Sequence, residues 1–176
     1  MCTSAKSGIG ATRVMDFITN SCPAPNEMPE RETTSGKAYK CNTSDSTALF
    51  VFKTSIEQHL GEVSCFKLYG GTLTEGTDLI NPRTGNKERL SQFFVLNGKN
   101  REKIEKVVAG DIAITIKLKD VKTGDSLMDS KAADAGFEGL TLPVPIYTVA
   151  MSAEDSGDDE KLGTILNEMH RTDPTI

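Results

Sequence analysis

Gly71-Thr72-Leu73-Thr74-Glu75-Gly76 has the glycine spacing of a phosphate-cradling loop, but Thr77-Asp78 follows where such a loop carries lysine and a hydroxyl residue. Without that lysine nothing reaches the β- and γ-phosphates, so the segment reads as a turn. Gly8-Ile9-Gly10 lacks the third glycine and the preceding strand of a dinucleotide site. His59 and His170 have neither a nucleophile nor a metal-ligand partner at a recognisable spacing; His59 is expected in a loop and His170 at a helix end. Cys2, Cys22, Cys41 and Cys65 form no C-x-x-C pair. The acids at 154, 155 and 158–160 lack the ligand spacing of a calcium loop and read as a solvated acidic cap. By its own residues the chain is expected to be no enzyme, with no catalytic constellation and no metal site.

The side chains left for binding are cations. Asn81–Lys106 holds seven Lys or Arg (Arg83, Lys87, Arg89, Lys99, Arg101, Lys103 and Lys106) against Glu88, Glu102 and Glu105, a local charge of +4 in a chain of net charge −5. A basic stretch inside an acidic protein suits local contact with phosphate, and the alternative is a solvated charged face. The overall charge is too small to make the whole chain a binder of nucleic acid or membrane. Met151–Ile176 is acidic, with seven acids against two bases. With no secretory signal and no apolar run near the roughly 18 residues of a membrane span, the expected setting is a reduced cytoplasm.

The elements that must position these cations are mostly short strands. Ala11, Val14, Met15 and Ile18 have the i, i+3, i+4, i+7 spacing of an amphipathic helix, ended by Pro23 and Pro25. The polar stretch from Asn26 to Ser46 reads as a loop or linker. From Thr47 to Ser130 the pattern becomes five or six short strands separated by turns, without an intervening helix, which suggests a closed or sandwiched all-β domain. Ala48–Phe52 reads as a strand buried on both faces, and Ile112, Ile114 and Ile116 alternate with period two. Asn81–Asn86 reads as a hairpin connection, and Gly110-Asp111 and Gly124-Asp125 as turns. Beyond Pro143 and Pro145, Ile146–Met151 reads as a strand. Ser156–Asp159 then opens a helix carrying Leu162, Ile165, Leu166 and Met169, stopped by Asp173-Pro174. A strand and one amphipathic helix cannot bury their apolar faces alone, so this tail reads as the opening of a domain cut short.

Several segments, taken in order, resemble the second domain of elongation factor G. They are Gly61-Glu62-Val63, Tyr69–Gly76, Gly85-Asn86-Lys87-Glu88-Arg89-Leu90, Asn100–Ile112 and Thr123-Gly124-Asp125-Ser126-Leu127. Arg13–Pro25 is similar to the last helix of that family's GTPase domain. Pro143–Thr175 is similar to the start of its third domain, through Asp159-Glu160-Lys161-Leu162 and Thr172-Asp173-Pro174-Thr175. The resemblance implies a mainly β fold: a six-stranded Greek-key barrel with an N-terminal helix remnant and a C-terminal β-α unit of a ferredoxin-like domain.

The implied division is 1–25 as the end of the GTPase domain, 26–46 as linker, 47–142 as the barrel and 143–176 as the start of the third domain. The implied function is ribosome binding by a translocation GTPase, with GTP and Mg held by the parent protein and none by this chain. Implied partners are small-subunit rRNA and the GTPase domain of the same parent, with a dimer through the C-terminal helix as a further option. Lys87, Arg89 and Arg101 are the candidates for rRNA phosphate contact, since an arginine fork suits phosphate. The alternative for Arg101 is an ion pair with Glu102. Gly110 and Asp111 are the candidates for contact with the GTPase domain. Glu62 stands where the family more usually has a basic residue, the Leu96–Lys99 loop lacks the family's histidine, and the 26–46 segment differs from the usual linker. These departures suggest a diverged paralogue. A ribosomal protection factor, a release-factor-recycling GTPase and a stand-alone β-barrel interaction module are the other readings.

Overall fold

The computed structural model describes residues 2–57, 61–98, 100–133, 135–153 and 155–176. His59, expected in a loop, Lys99 of the basic stretch and Glu154 of the acidic cap lie outside them.

The expected first helix is present as α1 (Ala11–Ser21), and its last turn ends where Cys22 N–H still donates to Ile18 O before Pro23. The segment expected as linker carries a small hairpin, β1 (Arg31–Glu32) and β2 (Ala38–Tyr39). It is ordered because Tyr39 buries its ring, leaving 1% exposed, in an aromatic cluster with Phe137 and Phe50.

The β domain that follows is an antiparallel sheet curled into a half-barrel. Its strands are β3 (Ala48–Glu57), β4 (Gly61–Gly70), β5 (Thr72–Thr74), β6 (Thr77–Ile80), β7 (Lys87–Leu90), β8 (Phe93–Asn97), β9 (Asn100–Ile104), β10 (Lys106–Val108), β11 (Ile112–Ile116) and β12 (Ser126–Met128). Eight of them run in the order β7-β6-β12-β3-β4-β11-β8-β9, and β10 pairs separately with β5. Since β10 continues the β9 edge and β5 leads into β6, that pairing draws the two ends of the sheet together. The count exceeds six partly because long strands are broken: a left-handed Gly71 (φ 77°) separates β4 from β5, and Glu105 separates β9 from β10. The neighbours β12–β3 and β4–β11 are distant in sequence, as in a Greek-key arrangement.

Leu49, Val51, Phe66, Leu68, Leu90 and Phe93 anchor the interior of the curl, with Phe66 and Phe93 edge-to-face at 6.1 Å. Ala48 and Phe50 face the opposite side, under Tyr39 and Phe137, so β3 is buried on both faces as its apolar run suggests. The isoleucines of β11 behave differently from a simple inward alternation. Ala113 and Thr115 face the interior, opposite Phe66 and Phe93 across the strands, and those two rings leave room only for small partners. Ile114 and Ile116 pack on the other face with Val63.

Ile146–Met151 forms no strand. The stretch is exposed, with Ile146 fully so, because no described segment offers it a ladder partner. The expected last helix is present as α2 (Asp159–Thr172), entered through a 3-10 turn at Ser156–Asp158. Its apolar face finds a partner within the chain: Ile165 and Met169 lie over Lys53–Ile56 of β3, and Arg171 pairs with Glu62 of β4. No helix among the described residues is long and apolar enough to cross a membrane.

Candidate functional site

The sequence-predicted cations occupy two strands, β7 and β9, that are opposite ends of the sheet order. On β7, Glu88 and Leu90 are buried and Lys87 and Arg89 point outward, as a strand's period of two requires. On β9, Ile104 packs against the interior, which leaves Arg101 and Lys103 on the outward face. The curl brings the two strands to a common place, the Glu75-Gly76 turn between β5 and β6. Lys103 Nζ lies 2.8 Å from Glu75, and a Cβ built on Gly76 would lie 3.4 Å from an Arg89 guanidinium nitrogen. Arg89 and Lys103 thus flank one turn, with Lys87 and Arg101 two residues further along each strand.

Acids are interleaved with these cations. Lys87 Nζ is 2.8 Å from Asp78, and its hydrogen bond, aided by the charges of Lys87 and Arg89, holds that carboxyl below the ordinary range despite desolvation. Asp78 also stands directly across the strand pair from Arg89. Arg101 is paired with Glu57 at the end of β3, not with Glu102, which lies opposite Val95 on the β8–β9 hairpin. Of the three candidates, Arg89 is the one with no ion pair within 4 Å among the described residues. Each exposed pair is worth little in water and can exchange its carboxylate for a phosphate at small cost.

Gly110 and Asp111 form a tight turn docked on β4, where Gly110 N–H donates to Leu68 O (2.7 Å) and Leu68 N–H to Asp111 O (3.0 Å). Gly110 has φ 102°, and a Cβ there would lie 3.0 Å from Pro25 Cβ. Only glycine allows this approach of the segment following α1 to the barrel. The Asp111 carboxylate is spent inside the turn, accepting from Val108 N–H at 3.0 Å.

A second polar centre was not legible from spacing. The Asn81–Asn86 connection and the Thr123–Asp125 turn, distant in sequence, meet around the Asp125 carboxylate. It accepts from Arg83 Nε (2.7 Å) and Nη2 (2.8 Å), Asn81 Nδ2 (2.9 Å) and Lys122 N–H (3.1 Å). Burial pushes the Asp125 carboxyl up, but these donors prevail and hold it below the ordinary range. The Glu88 carboxylate, 3% exposed, accepts from the N–H groups of Lys119 (3.0 Å) and Asp120 (3.1 Å). A cleft of about 320 Å³ beside Arg83 is lined by Thr34, Pro82, Asp125 and Gly136, among others. These carboxylates hold loops, and their donor sets leave them little to offer a ligand. Among the described residues no three His, Cys, Asp or Glu side chains cluster to hold a metal. The Gly71–Gly76 segment is strand, turn and strand with no helix after it, so it does not fit a nucleotide phosphate either.

Residues 46–130 match Elongation factor G domain 2. A crystal structure of a protein from Thermus thermophilus superposes with a TM-score of 0.75 at 24% identity, over 98% of this chain and 24% of that one. This chain therefore spans about a quarter of that protein's length, and the likeness is one of fold.

Proposed function

We propose that this chain, whose residues 46–130 match elongation factor G domain 2, is the ribosome-binding part of a GTPase acting in the translocation step of protein synthesis. The coarser statement, a component of an elongation-factor-G-like translation factor, follows from the match itself. The observation that supports the finer one is the convergence of Arg89 and Lys103 on the Glu75-Gly76 turn, with Lys87 and Arg101 on the same outward faces. Their target is rRNA phosphate, which a planar guanidinium can meet with two parallel hydrogen bonds. In this reading 47–142 is the ribosome-facing barrel, 1–25 ends the GTPase domain, 26–46 connects the two, and 143–176 begins the third domain. Gly110 and Asp111 hold the barrel to the GTPase-domain side, through the contact of Gly110 with Pro25. GTP and Mg belong to the parent's nucleotide site, and no residue of this chain takes part in hydrolysis.

The test is cosedimentation of the chain with small ribosomal subunits across a salt series. Phosphate contacts by the three sequence-predicted residues, Lys87, Arg89 and Arg101, give a slope of log affinity against log salt of about −2 to −3. Arg89→Ala should lower the magnitude of that slope by about 1. Salt-independent binding, or no loss in a triple Lys87→Ala, Arg89→Ala, Arg101→Ala variant, would refute the assignment of these residues.

A further inference from the structure

Glu62 is an acid in a poor place for one. It lies near the start of β4, on the strand face that continues through Ser64, Phe66 and Leu68 into the interior, and its side chain is 15% exposed. Burial raises its carboxyl above the ordinary range, and two other carboxylates, Glu88 and Asp120, add to that effect by charge. Glu88 cannot relieve the crowding, because its oxygens are committed to the N–H groups of Lys119 and Asp120. Glu62 Oε1 is buried without a hydrogen-bond partner among the described residues. Its Oε2 meets one cation there, Arg171 Nη2 at 2.6 Å.

Arg171 comes from the last turn of α2, whose other contacts with the barrel are loose. Ile165 and Met169 stay 52% and 41% exposed over β3, Ile56 beneath them is 46% exposed, and an open cleft of about 430 Å³ separates the surfaces. An apolar contact so poorly packed gives little stabilisation and little positional selectivity. The ion pair is the contact that has both a fixed geometry and a large penalty when broken. Glu62 is the largely buried partner and Arg171 the half-exposed one, so removing Arg171 leaves the Glu62 charge uncompensated, whereas the intact pair adds little net stability and mainly selects an arrangement.

We propose that Glu62 and Arg171 form a charge-specified latch that seats the C-terminal helix on the β3–β4 hairpin end of the barrel. The choice of glutamate makes the latch obligatory. A neutral residue at position 62 would carry no charge to be balanced and would have no use for Arg171. With glutamate there, the barrel end needs a cation that only α2 supplies among the described residues, so the helix position and the charge balance of the barrel are one equilibrium. The helix is seated when Arg171 is home, and it is released by anything that competes for that guanidinium or supplies another cation to Glu62.

Hydrogen exchange on the whole chain tests this, reading amides of 159–172 against those of β3 and β4. Glu62→Lys and Arg171→Glu should each raise exchange in α2 by about tenfold or more, the ratio set by losing roughly 1.4 kcal/mol of seating. The double variant Glu62→Lys, Arg171→Glu should return α2 to within about twofold of the parent, with protection in β3 and β4 unchanged throughout. Arg171→Gln, on an exposed helix turn, gives the same release without touching the barrel and decides the matter if Glu62→Lys fails to fold. Unchanged α2 exchange in Arg171→Gln, or single-variant losses that the reversed pair does not restore, would overturn the latch.

Discussion

Replacing Asp125 by alanine isolates how much the buried carboxylate contributes by holding two loops together. The change removes the acceptor for two Arg83 bonds, for Asn81 Nδ2 and for Lys122 N–H. A hydrogen bond to a charged group contributes about 1.5–3 kcal/mol when its partner is buried. That figure does not apply to Arg83 in full, since its side chain is 40% exposed and rehydrates, and it retains a bond to Asp120 O at 3.2 Å. Asn81 is fully buried but keeps its contact to Asp120 O at 3.3 Å. The remaining loss is dominated by the half-orphaned Asn81 amide and Lys122 N–H, and a total of about 3 kcal/mol is expected. That is a large part of the roughly 5–15 kcal/mol typical of a domain, so urea unfolding at pH 7 resolves it easily.

The sign of the pH dependence follows from the same donors. The folded Asp125 pKa is depressed, so its contribution is complete above the unfolded-state value of about 4 and is lost as pH falls through the folded value. The stability gap between the parent and Asp125→Asn, which keeps the shape but not the charge, should therefore be widest at neutral pH and close below about pH 4. A loss under about 1 kcal/mol for Asp125→Ala, or a gap that widens in acid, would refute this account of the network.

Gly70→Ala should destabilise by about 1–3 kcal/mol in urea unfolding, since its Cβ would fall 2.5 Å from Tyr39 Cδ1 and 2.7 Å from the Ser46 carbonyl oxygen. Phe66→Ala, in the fully buried interior, is expected to cost about 3–5 kcal/mol, whereas Ile165→Ala on the half-exposed face of α2 should cost less than about 1 kcal/mol by the same measurement. Lys87→Ala should leave the urea midpoint unmoved, because its pair with Asp78 is solvated, while weakening cosedimentation with ribosomal subunits.

Both helices were legible because each carries an apolar repeat near 3.6 residues bounded by proline. The β domain was legible as a class from its alternation and turn residues. What spacing could not give is which face of β11 turns inward, because that depends on Phe66 and Phe93 arriving from other strands. The 26–46 segment reads as a linker because the residues that order it, Phe50 and the 136–138 stretch, lie outside it, and Phe137 lies beyond the far end of the sheet in sequence. The strand expected at Ile146–Met151 has the right residue pattern and nothing to pair with, since a strand's stability lies in its neighbour. The cations were nameable from charge density alone. Their convergence on the Glu75-Gly76 turn was not, since β7 and β9 meet only through the pairing of β10 with β5. The acid partners Asp78, Glu57 and Glu75 were likewise hidden, because each comes from a strand or turn that only the fold makes adjacent.

The β1–β2 hairpin has a mechanical consequence. Thr33 bridges Phe137, Thr34 N–H donates to Gly136 O at 2.9 Å, and the Arg31 guanidinium lies 4.5 Å from the Phe50 ring centre while donating to Glu138 O at 3.0 Å. The path into the barrel and the path out of it are therefore clasped side by side. A load that draws these two flanks apart is borne first by the clasp, while the strands of the half-barrel carry no tension until it gives. Conversely, a tilt imposed on one flank passes directly to the other, short-circuiting all of the intervening sheet.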